Sequence, residues 1–181
     1  MSEETKAAKL MPNAVHLVRT SMLSTLQLSQ MADQKANMVM GASFVVFTLA
    51  VGQVRSGVML LPITILASGA FLAAVFAIFS VLPKVTKAGE AHLLGNSQGD
   101  NILFFGIFSQ MSEQEFSDEV IEALSTDEST YRMMLRDIYQ NGQVLARKKY
   151  RYLSLAYKAF LVGLIGSFMT FVAEIVMSRF L

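Results

Sequence analysis

Three stretches of this chain run without a charged residue for about the width of a bilayer, and nothing else restricts its fold so strongly. Nineteen residues lie between Lys35 and Arg55, and twenty-eight between Arg55 and Lys84. A third run follows Lys158 and lasts until Glu174, extended at its start by Tyr152, Leu153, Leu155, Ala156 and Tyr157. A hydrocarbon core about 30 Å thick takes roughly 20 apolar residues at 1.5 Å each, and polar flanks can snorkel to the interface. Three wholly buried helices in water would need a surrounding shell that 181 residues cannot supply. The charged share agrees, at 16% against roughly 25% in soluble domains. The expected fold class is an all-α membrane protein. It has three transmembrane helices with two helices extended into the cytoplasm as a stalk, plus a short amphipathic helix.

The distribution of positive charge sets an orientation. Lys6, Lys9, Arg19 and Lys35 precede the first span, while the turn between spans one and two carries only Arg55. The long connection carries Lys84, Lys87, Arg132, Arg136, Arg147, Lys148, Lys149 and Arg151, and Arg179 alone follows the third span. By the positive-inside rule the N-terminus and the long connection are cytoplasmic, and the C-terminus is external. The expected division is a cytoplasmic arm and helix over 1–35, spans over 36–54, 57–82 and 152–177, a cytoplasmic helical domain over 83–151, and an external end at 178–181. The polar first ten residues do not have the form of a cleaved leader. With no cysteine, neither disulfides nor thiol chemistry is available.

Helical periodicity runs from Ala14 to Gln34, with Val15, Val18, Met22 and Leu26 on one stripe. Nothing up to Val54 breaks it, which predicts one helix of about forty residues and roughly 60 Å. In span two Gly69, Ala73 and Ala77 recur every fourth position, and span three offers Gly163 and Ser167 in the same pattern. Such spacing lets another helix approach closely; packing among the spans is the plainer reading and packing between subunits the alternative. Residues 86–100 have loop composition with a helical turn at 90–94, and 101–108 form an apolar island. Ser112 with Glu115 has the S-x-x-E capping-box pattern and opens an acidic helix through about Leu124; Ser125 with Glu128 repeats it and opens the last helix. There Tyr131, Leu135, Ile138, Gly142, Leu145, Lys149 and Tyr152 make a coiled-coil-like stripe that continues into span three.

No catalytic constellation is present. His16 and His92 stand in no metal-ligand spacing, and no P-loop, dinucleotide turn, HExxH or GxSxG pattern occurs. Glu113, Glu115, Asp118, Glu119 and Glu122 suit the solvated face of a helix. A non-enzyme with no cofactor or metal is expected. Asp33 and Lys35 sit where the first helix meets the membrane, either as an interfacial ion pair or as a ligand or gating contact. The cluster of Arg147, Lys148, Lys149, Tyr150 and Arg151 suits anionic headgroups, and equally a phosphate, since Arg and Lys are the usual phosphate binders. Phe104 and Phe105 suit a core or interface anchor better than a stacked base. Glu174 and Arg179 lie near the outer end of span three; a carboxylate at that depth pairs or reaches water.

Three signatures in this order, Ala32-Asp33-Gln34-Lys35-Ala36, Asn101-Ile102-Leu103-Phe104-Phe105-Gly106 and Leu145-Ala146-Arg147-Lys148-Lys149-Tyr150, resemble the membrane effector family of Pycsar antiphage systems. The resemblance spans about residues 28–165 and implies bacterial defence. A cyclase sensing infection makes cyclic UMP or cyclic CMP, and the effector damages the inner membrane before phage matures. It implies a cyclic pyrimidine mononucleotide as ligand. The apolar spans make the lipid bilayer a partner, and a permeabilising mechanism demands further copies of the chain because three spans cannot enclose a pore alone. No nucleic acid polymer is expected. Asp33, Lys35, Asn101, Phe104, Phe105, Arg147, Lys149 and Tyr150 are the candidate ligand contacts at family-matching positions, which also include Gly106. The alternative function is a membrane-anchored scaffold gated by a protein partner through its cytoplasmic helices.

Overall fold

The computed structural model describes residues 13–54, 57, 59–82 and 101–180. All regular structure among them is helical: α1 (Ala14–Val54), α2 (Leu60–Val81), α3 (Phe105–Phe108), α4 (Glu113–Ala123), α5 (Asp127–Val144), a π-helical segment (Leu145–Tyr150) and α6 (Arg151–Phe180). The chain divides into two compact units. One takes Met1–Gln27 and Pro83–Gln143, the other Leu28–Leu82 and Val144–Leu181. The expected loop at 86–100, its helical turn, His92 and Arg55 lie outside the described residues.

The second unit holds α1 from Leu28 onward together with α2 and α6, the apolar helices. Each is long and apolar enough to cross a membrane, and in the most apolar stretch of the last only 6% of residues are buried by protein. Met38, Phe44, Leu49, Val162 and Phe168 are all at least 64% exposed. Apolar surface on that scale is unstable in water and matches hydrocarbon. The protein is therefore an all-α membrane protein.

Small residues hold the spans together. Ala73, Ala77, Ala156 and Val39 form one buried cluster, with Phe76 and Phe160 packed against it. Ala32, Ala36, Leu145 and Leu153 form a second. At Gly69 and Gly163 the α2 and α6 backbones touch, with no room for a Cβ on either. The four-residue repeat of small side chains thus serves packing among the spans. Between α1 and α2 the chain turns through Gly57 (φ 71°) and Met59 (φ 52°). For Met59 the left-handed backbone costs roughly 1–2 kcal/mol.

The first unit is small and polar. Ser112 caps α4 as expected: its hydroxyl accepts from the Glu115 N–H at 3.2 Å, and the Glu115 carboxylate accepts from the Ser112 N–H at 2.9 Å. The second cap differs from expectation by one residue. Thr126, not Ser125, closes the start of α5, accepting from the Ser129 N–H at 3.1 Å while the Ser129 hydroxyl oxygen accepts from the Thr126 N–H at 3.3 Å. Ser129 is short enough to replace the long Glu128, which pairs with Arg132 at 2.7 Å instead. Two expected stripes are also only partly buried. Val18 is covered, but Val15 and Leu26 on α1 and Leu135 on α5 stay exposed.

Candidate functional site

Residues four apart on a helix share a face. On α1 that brings Ser29 and Asp33 together, beside the buried methyls of Ala32 and Ala36. Those small side chains let α1 lie against Leu145 and Leu153. Lys149 arrives between these two leucines, four residues from each. Its ammonium donates to Asp33 Oδ2 at 2.6 Å and to Ser29 Oγ at 2.8 Å. The Lys149 side chain is 20% exposed and that of Asp33 39%. Asp33 Oδ1 is buried without a hydrogen-bond donor among the described residues.

Lys149 sits where it does because the helix is wider there. Four residues of an α-helix overshoot a full turn by about 40°, so a repeat of four drifts off its face. Segments with i→i+5 bonds hold more residues per turn and reverse that drift. The π-helical turn Leu145–Tyr150 thereby keeps Leu145, Lys149 and Leu153 in line. Tertiary bonds fix it in place. The buried Ser80 hydroxyl on α2 donates to the Lys149 carbonyl at 3.0 Å, and the Lys148 ammonium donates to the Leu82 carbonyl that ends α2. Lysine side chain and backbone together tie the π turn to both α1 and α2.

Of the residues singled out by sequence, this unit brings Asp33 and Lys149 together. Lys35 and Arg147 each lie two residues from one of the pair, which turns them away from it, and both are exposed. Tyr150 is 37% exposed. Ser29 and Ser80 complete the node, and sequence reasoning passed over both. Ser29 carried a signal in its i,i+4 spacing from Asp33; Ser80 carried none.

Asn101, Phe104 and Phe105 belong to the other unit. Asn101 is 2% exposed, and both ends of its amide are engaged. Nδ2 donates to Asp137 Oδ1 at 2.9 Å, and Oδ1 accepts from the Leu103 N–H at 3.2 Å. Asn141 donates to the same Asp137 oxygen at 2.9 Å. Asp137, only 3% exposed, is thus the buried hub of this unit, and it was not foreseen. The Phe104 ring covers Gly106, where a Cβ would stand 2.6 Å from a ring carbon. Phe105 packs on Phe104 with ring centres 5.1 Å apart and keeps an exposed face. Among the described residues no group of three or more His, Cys, Asp or Glu side chains could hold a metal ion.

The family model of the Pycsar effector protein domain, PycTM, matches residues 18–177. This chain belongs to the Pycsar effector family. No curated protein and no solved structure matches it. The Pycsar effector domain takes in all three apolar helices and both units, so the family assignment rests on nearly the whole chain. It identifies the protein as a membrane effector of antiphage defence, a family of membrane effectors rather than known enzymes. Each of the three signatures has a physical counterpart in this Pycsar effector. The first and third meet in the Asp33–Lys149 pair, and the second builds the Asn101–Asp137 hub and the Phe104 cover over Gly106.

Proposed function

We propose that this effector impairs the integrity of the bacterial inner membrane when a cyclic pyrimidine mononucleotide, cyclic UMP or cyclic CMP, reaches its cytoplasmic side. In this reading the N-terminus is cytoplasmic and the C-terminus external, with spans at 36–54, 57–82 and 152–177. Lys149 receives the phosphate. Tyr150, beside Lys149 and 37% exposed, is the neighbouring candidate contact. Three spans cannot enclose a pore, so the active form is a homo-oligomer. A ligand shifts the balance between resting and active arrangements only by its differential affinity for them.

The observation that carries the reading is the mostly buried ammonium of Lys149, held by a single carboxylate oxygen and a hydroxyl at the junction of three helices. The test is thermal stability of the detergent-purified protein against a panel of cyclic mono- and dinucleotides, since ligand binding raises apparent stability by mass action. A selective shift with cyclic UMP or CMP, lost in Lys149→Ala, is expected. Crosslinking in membranes that yields only monomers with ligand present would remove the oligomeric mechanism.

A second reading, a scaffold gated by a protein partner, draws on the polar unit. Ile121 and Leu124, and Leu135 and Tyr139, are more than half exposed. Absence of any nucleotide shift, with a partner retained by the wild type and lost in Ile121→Glu, would favour it.

A further inference from the structure

Lys149 already holds an anion, and the manner in which it does so has a consequence for gating. We infer that Asp33 is a built-in competitor for the anion Lys149 receives, so that a phosphate ester enters by displacing a carboxylate and thereby breaks the ion pair between α1 and the π turn. This deepens the ligand-gated reading above and rests on it for the ligand's identity, though not for the exchange itself.

Four features support the exchange. An ammonium covered to this degree needs a counter-charge, because desolvation without a partner disfavours its charged form. Asp33 supplies that charge with one oxygen only; Oδ1 is buried and receives no donor among the described residues. A phosphodiester brings two free anionic oxygens where Asp33 engages the ammonium with one. The charges also balance: a carboxylate and a cyclic phosphodiester each carry one negative charge, so the exchange adds no net charge at the node itself.

The attachments of the π turn decide what moves. The Lys149 carbonyl is fixed to α2 through Ser80, and Lys148 is fixed to the end of α2. Neither bond involves Asp33. Displacing the carboxylate therefore leaves the π turn in place on α2 and breaks the ion pair that ties it to α1. What remains between α1 and the π turn is the neutral Ser29 hydroxyl on the Lys149 ammonium and the apolar contact of Ala32 and Ala36 with Leu145.

The test uses the full chain in detergent, with cyclic UMP, cyclic CMP and inorganic sulfate as probes, and a parallel arm in cells that contain no cyclase. Asp33→Asn removes the competing charge at constant shape. It is expected to bind the anionic probe about tenfold more tightly than wild type, the factor that corresponds to about 1.4 kcal/mol. It should also depolarise the membrane on expression without any trigger. The exchange variant Asp33→Lys with Lys149→Asp restores the pair and should melt like wild type and stay silent in cells without a trigger. If Asp33→Asn will not fold, Asp33→Ser serves in its place. Anion affinity in the Asp33 variant equal to or weaker than wild type, with silence in cells, overturns the inference. If cyclic nucleotides bind neither protein while sulfate binds the variant more tightly and the variant depolarises cells, the nucleotide reading falls and the competitor stands.

Discussion

Gly163 faces Gly69 across the α2–α6 contact so closely that a Cβ on Gly163 would stand 2.7 Å from the Gly69 Cα. The neighbouring atoms are backbone, which cannot swing aside. Gly163→Val is therefore expected to force the two spans apart and destabilise the protein by about 1–3 kcal/mol, the usual range for overpacking. Gly142→Ala meets no atom within 4 Å and should be neutral or stabilising by up to about 1 kcal/mol, as expected of Gly to Ala within a helix. Thermal melts in one detergent, run side by side, check both.

Ser80 is a polar tie between an α2 side chain and the π turn. Ser80→Ala removes its hydroxyl from the Lys149 carbonyl and is expected to cost about 0.5–1.5 kcal/mol. In the Lys149→Ala background the cost should persist, because the bond is to the backbone. A double-mutant cycle measured by thermal melting gives a coupling near zero if the side chain and carbonyl of Lys149 act separately.

Asp137 accepts from two amides through one oxygen. Asp137→Ala leaves the buried Asn101 without its acceptor, at a cost of about 1–3 kcal/mol. Amide exchange at Leu103 and Phe104, which bond to Asn101, should accelerate first. Asn101→Asp sets a second carboxylate against Asp137 and should be worse at neutral pH than Asn101→Ala.

The Glu115 carboxyl is held below its ordinary value, first by the Ser112 backbone N–H and then by the Ser112 hydroxyl. A lowered carboxylate pKa means that the stabilisation is fully present above the unfolded value near 4.5 and is lost as pH falls through the lower, folded value. Helix α4 should therefore fray at its start on acidification below about pH 4.5, seen as faster amide exchange at Glu115 and Phe116. Glu115→Gln should flatten that dependence, and Ser112→Ala should cost about 1 kcal/mol of helix stability at neutral pH.

The apolar runs made the three spans legible before any coordinates, because length without charge is a property of sequence alone. The Ser112–Glu115 box was equally plain, since capping is local. The cap at α5 slipped by a residue because Ser125 and Thr126 are both good caps, and only tertiary surroundings chose between T-x-x-S and S-x-x-E. Depth was the hidden quantity elsewhere. Nothing in the composition around Asp137 distinguishes it from Asp118, yet the first is buried and the second is not. Among the candidate contacts, Asp33 and Lys149 were each legible, while their direct pairing became visible only in the structure. The π turn that selects Lys149 over Arg147 has no sequence signature, because bonds from Ser80 and Lys148 help to set its hydrogen-bond register.

The surplus residue in that turn also says where evolution has no freedom to change chain length. Leu145 meets Ala32 and Ala36 only because the widened turn places it in line with Lys149. Deleting any residue between the two would swing Leu145 by about 100° around the helix, and inserting one would swing it the other way. Alignments of related effectors should accordingly be free of gaps between these two positions, however much the connection before α3 varies in length.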